Sequence, residues 1–179
     1  MTNEIIIGLK NIALGYIFIM FRINLGTIDI LPDFIGYVLI YKGIKILLNI
    51  VTSLKLLQNF AVLLGVISFI KWILAIFNSN IRIYLISVII TIITLYFDFQ
   101  LITDIMEIAT KSRYLHVSDL KLLRNMKVII YTVIYLMTYF FINETIMVIL
   151  IFIQLGICLL IVYMIYDLAK WIEKNNFTI

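Results

Sequence analysis

A chain of 179 residues that is 64% hydrophobic and 13% charged carries more apolar surface than a soluble core of its size can hide. A mean hydropathy of +1.15 places it in a bilayer as a single domain over residues 1–179, with no room for a separate soluble one. The net charge of +4 does not indicate nucleic acid, because Lys and Arg flank the apolar runs and form no basic block.

Six apolar runs predict an all-α integral membrane bundle of six transmembrane helices, at about 5–23, 33–50, 57–77, 82–100, 127–142 and 145–167. Lys10 and Asn11 interrupt the first run and no small-x-small cleavage site follows, so it is expected to stay as a helix. Gly8 and Gly15 lie seven residues apart on helix 1, and Gly36 and Gly43 do so on helix 2. Seven residues are nearly two turns, so each pair marks one narrow face where another backbone can approach closely. A tight helix 1–2 hairpin is expected. The same faces also suit other membrane subunits.

The link between these helices runs Arg22-Ile-Asn-Leu-Gly26-Thr-Ile-Asp29-Ile-Leu-Pro32-Asp33-Phe-Ile-Gly36-Tyr37 and holds the only proline. In the structural reading Asp29 caps helix 2, Pro32 sits in its first turn and Asp33 faces the positive end of its dipole. In the functional reading Asp29, Asp33 and Arg22 join Lys71 of helix 3 in a ligand site at the outer end of the bundle. An ammonium at the depth of Lys71 costs at least about 2 kcal/mol unless it pairs or snorkels, so a partnership with Asp29 or Asp33 is expected.

Helix 4 carries Tyr84, Ser87, Thr91, Thr94 and Asp98 on one face. Helix 5 carries Tyr131, Tyr135 and Tyr139 at one-turn spacing, with Tyr135 near mid-membrane, and helix 6 carries Gln154 and the single cysteine, Cys158. Ser87, Thr91, Thr94, Asp98, Tyr135 and Gln154 are candidates for lining a polar cavity. The competing reading has the hydroxyls bonding their own i−4 carbonyls while the helices simply pack.

The segment from Asp98 to Lys127 reads as a solvated extension of helix 4, with Glu107 and Lys111 at i,i+4, a break near Tyr114 to Val117, and a new helix capped by Ser118 with Asp119 in its first turn. Leu120, Leu123 and Met126 form an apolar face there, with Lys121 and Arg124 towards phosphate headgroups. A similar collar, Asp167 to Lys174, follows helix 6. Both are expected to anchor at the interface or to dock a soluble partner. Lys42, Lys45, Lys55, Lys111, Arg113, Lys121, Arg124, Lys127, Lys170 and Lys174 fall on one side, against Arg22 and Arg82 on the other. That asymmetry predicts both termini in the cytoplasm of a multi-pass cytoplasmic-membrane protein.

Enzyme signatures are not met. The sole histidine, His116, is expected in the cytoplasmic loop, about half a bilayer from Cys158 in the middle of the last apolar run, and no metal-ligand cluster, cofactor motif or P-loop occurs. Asp29-x-x-x-Asp33 lacks the Gly, the Ala-Arg and the second Asp pair of phosphatidyl-alcohol transferases. The run Ile28-Asp29-Ile-Leu31-Pro32-Asp33-Phe-Ile-Gly36-Tyr37 resembles a stretch of uncharacterised small multi-helix membrane proteins of low-GC Gram-positive bacteria, which carries over no activity. Length and topology also resemble the substrate-binding subunits of energy-coupling-factor vitamin importers. Where those commonly carry an Ala-x-x-x-Ala face on helix 1, this chain has Gly8, Ala13 and Gly15. The expected function is non-enzymatic: small-ligand binding or transport, or alternatively a structural or accessory subunit of a membrane complex.

Overall fold

The computed structural model describes residues 2–20, 24–25, 28–29, 32–77, 84–137 and 144–175, without the side chains of 24, 25, 28, 29, 84, 85 and 144. Among these residues six helices form: α1 (Thr2–Met20), α2 (Asp33–Leu47), α3 (Leu54–Ile76), α4 (Tyr84–Lys111), α5 (Val117–Met137) and α6 (Glu144–Lys174). Between α1 and α2, β1 (Asn24–Leu25) pairs antiparallel with β2 (Ile28–Asp29), Asn24 opposite Asp29. Among the described residues the fold is therefore all-helical apart from this short ladder. Asp29 belongs to the ladder, the N-cap position of α2 falls to Pro32, without a side-chain bond, and Asp33 opens the first turn.

Four helices, α1, α3, α4 and α6, are long and apolar enough to cross a membrane. α2, with 15 residues, is about 22 Å long, short of a hydrocarbon core of about 30 Å. α5 is polar over its N-terminal half and starts well before the apolar run that marked it, with Ser118 inside its first turn. Residues beyond 137 in its expected span lie outside the described residues. α6 continues without a break to Lys174 and absorbs the expected collar. Leu168, Ala169 and Ile172 there are fully buried, as is Leu120 in α5, so both segments pack into the bundle.

The α1–α2 hairpin follows from its glycines. A Cβ built on Gly15 would stand 2.6 Å from the Gly36 carbonyl oxygen, and one on Gly36 would stand 2.6 Å from that of Gly15. Gly43 meets Gly8 O at the same distance. Ile40, Ile19, Ile12 and Leu47, each one turn beyond a glycine, cover the glycine of the other helix. The pattern Gly-x-x-x-Ile-x-x-Gly-x-x-x-Ile/Leu thus occurs on both helices, and antiparallel packing interlocks the copies. These glycine faces meet each other, so the chain itself fills the seam considered for other subunits.

The principal helix contacts follow chain order and close on themselves: α1 on α2, α2 on α3, and so on to α6, which returns to α1. One end of this ring is packed solid. Ile5, Leu9, Leu47, Leu54, Leu57, Leu101, Ile105, Ile108, Ile165 and Ile172 interlock where α1, α3 and α5 begin and α2, α4 and α6 end. At the other end the helices line a cavity. Outward-facing residues such as Leu14, Val62, Ile89, Ile129, Phe152 and Leu160 remain exposed, as lipid contact requires.

Polar contacts staple the packed end. α4 stops in a Schellman turn, with Arg113 at φ 52 and the Tyr114 N–H bonded to Ala109 O at 2.9 Å. Ser53 and Gln100 both donate to Asp104 Oδ1 at 2.8 Å, and Trp171 Nε1 donates to Ser112 O at 3.1 Å. Arg124 points inward rather than to headgroups, bonded to Thr103 at 2.8 Å and lying 4.2 Å over the Phe99 ring. Tyr114 OH donates to Asp167 at 2.7 Å; burial first, and then that bond, push its phenol above the usual range. Tyr114→Phe is expected to cost about 1.5 kcal/mol in unfolding measurements. Because folding favours the protonated phenol, this contribution is complete below about pH 10 and declines as pH rises further.

Candidate functional site

The ring encloses a cavity of about 680 Å³, reaching from the middle of the bundle towards the end where α1 finishes and α2 begins. Its floor is a charged cluster. Lys127 Nζ lies 2.8 Å from Asp98 Oδ2, with side chains only 7% and 18% exposed. Tyr16 OH donates to the other carboxylate oxygen at 3.0 Å, and the Lys127 ammonium stands 4.5 Å over the Tyr16 ring. Three helices, α1, α4 and α5, thus meet at one carboxylate. The placement follows from topology: Asp98 and Lys127 are nearly equidistant from the turn joining α4 to α5, so the antiparallel pair brings them level.

Ser87, Thr91 and Thr94 climb the α4 wall above Asp98. Thr91 donates to Ser87 O at 2.9 Å and Thr94 to Ile90 O at 2.8 Å. Both readings of this stripe therefore meet in one geometry: the hydroxyl protons serve the helix, while the oxygens stay on the cavity lining as acceptors. Opposite, α6 contributes Gln154 and Cys158, and α5 contributes Tyr131. Gln154 Oε1 is buried with no hydrogen-bond partner among the described residues. Ser68, Lys71 and Trp72 of α3 and Asp33 of α2 complete the wall towards the outer end. Among the described residues the charged lining side chains are Asp33, Asp98, Lys71 and Lys127, two of each sign.

The structure thus gathers Asp33, Lys71, Ser87, Thr91, Thr94, Asp98 and Gln154 around one space. Tyr135 is one turn beyond the lining, which α5 leaves at Tyr131. Arg22 and the side chain of Asp29 lie outside the described residues, and with them any pairing of Lys71 with Asp29. Lys127 and Tyr16 were not marked by the sequence. Lys127 counted there as an orientation charge, yet an acid in an apolar run needs a nearby base, and this is the lysine level with it. His116 is remote in role, paired with Asp119 at 2.9 Å at the start of α5.

No protein-family model, curated protein or solved structure matches this chain.

Proposed function

We propose that this chain is a bacterial cytoplasmic-membrane protein with six spans and cytoplasmic termini, which binds a small polar ligand in its central cavity as a binding or transport component. The supporting observation is a cavity with a charged floor, backed by a solidly packed end that separates it from the other side. Orientation rests on Lys42, Lys45, Lys55, Lys111, Arg113, Lys121, Lys170 and Lys174 at the packed end, with Arg124 and Lys127 withdrawn from that count because they turn inward. The sequence has no P-loop, so transport would draw on an ion gradient or a partner ATPase. No catalytic step is assigned to the site.

A second reading, as an accessory subunit, draws support from a different surface. A groove of about 310 Å³ between α2 and α3, lined by Phe34, Val38, Tyr41, Val62, Gly65 and Phe69, has almost no polar surface and suits a partner helix. Native mass spectrometry of the protein released from its own membrane separates the two. The binding reading expects a retained small molecule whose occupancy falls in Lys127→Met. A stoichiometric protein partner without any small molecule would favour the accessory reading.

A further inference from the structure

Resting on the binding reading, the chemistry of the cavity floor narrows the ligand class. Asp98 and Lys127 are both under-used. A carboxylate has about four acceptor positions and an ammonium three donors, while Asp98 accepts one bond from Lys127 and one from Tyr16. The Thr91 and Thr94 oxygens and the orphaned Gln154 Oε1 add further acceptors. A ligand here must therefore bring donors for Asp98 and Gln154 and an acceptor for Lys127. It must also bring no net charge to the floor, since Asp98 and Lys127 already cancel there and an unmatched charge among apolar walls is costly.

A simple amine would satisfy Asp98 and leave itself uncompensated. An anion fails in the reverse sense. A neutral polyol matches the hydrogen bonds without using the two charges. We propose that the ligand is a small zwitterion of the α-amino-acid type, lying antiparallel on the Asp98–Lys127 pair with its ammonium beside Asp98 and its carboxylate beside Lys127. Covalent geometry holds the two ends of an α-amino acid about as close together as the protein holds its own pair, so the four charges alternate round a compact square. Gln154, on the same lining with its Oε1 unpartnered among the described residues, is the further acceptor offered to the ammonium, and Ile67, Ile90, Trp72 and Leu155 supply apolar lining for the side chain.

The test uses the full chain in lipid nanodiscs. Thermal unfolding is followed with an equimolar mixture of the twenty proteinogenic L-amino acids, then with each alone. For the strongest, the decarboxylated amine and the N-acetyl derivative are titrated by calorimetry. The expected result is a rise in Tm with at least one amino acid and at least tenfold weaker binding of both analogues. Gln154→Leu, which leaves the ion pair intact, is expected to weaken the amino acid several-fold. No shift with any amino acid, or an analogue binding as tightly as its parent, overturns the proposal. If a non-zwitterionic molecule is retained in the native complex, the zwitterion fails while the binding reading stands; a cavity closed to water removes both.

Discussion

Lys127→Met is expected to destabilise the folded chain by about 3–5 kcal/mol, the range for removing one member of a buried ion pair. The substitution keeps the length of the side chain but leaves the Asp98 carboxylate, 18% exposed, without its counter-charge. Tyr16 remains as a hydrogen-bond donor, yet a neutral phenol compensates a buried negative charge only in part. Asp98→Asn should cost a comparable amount by stranding Lys127, which lies over the Tyr16 ring but has no other acidic partner among the ion pairs described. The double variant is expected to recover most of the loss, since a buried pair as a whole adds little net stability. Reversible unfolding in mixed micelles measures all three. Additive losses would mean that the two side chains do not depend on each other, contrary to the 2.8 Å contact.

Alanine at Gly15, Gly36 or Gly43 is expected to cost about 2–3 kcal/mol each, at the upper end for overpacking a tight interface. In all three cases the new Cβ would stand 2.6 Å from a backbone carbonyl oxygen of the facing helix, so no rotamer change relieves it and α1 must move off α2. Gly8 is a milder case. Its Cβ meets the Leu47 side chain, at Cγ, at 2.8 Å and backbone only at 3.3 Å. Gly156 has nothing within 4 Å, so alanine there should stabilise α6 by up to about 1 kcal/mol through helix propensity alone. The ranking, with Gly15, Gly36 and Gly43 worst, Gly8 intermediate and Gly156 neutral or better, is read from thermal unfolding of the five variants. A flat response across them would remove the glycine seam as the organising contact of the hairpin.

These two features differ in how well the sequence announces them. The glycine spacing on helices 1 and 2 is local and periodic, and it already implied the antiparallel seam. Only the covering isoleucines one turn on, indistinguishable from other apolar residues, waited for the structure. The α4 stripe was equally legible because Ser87, Thr91, Thr94 and Asp98 share a face by spacing alone. Lys127 and Tyr16 were not, because their role depends on which helices are neighbours. A lysine at the start of an apolar run reads as an orientation charge until Asp98 is brought level with it. The inward turn of Arg124 is hidden from local sequence for the same reason: the Phe99 ring and Thr103 lie across the hairpin. The buried collar at Leu168 to Ile172 follows from α6 packing beside α1 and α5, a contact no local pattern encodes.

Sided thiol labelling distinguishes a wet cavity closed at one end from a dry or open bundle. In a Cys158→Ala background, single cysteines at Ser87, Thr91, Thr94 and Ile105 are exposed to a membrane-impermeant reagent in right-side-out and inside-out vesicles. Ser87, Thr91 and Thr94 are expected to label only from the side of the α1–α2 connection, more slowly with depth, and Ile105 from neither side. Labelling of Thr94 from the packed end, or silence at all three cavity positions, would contradict it.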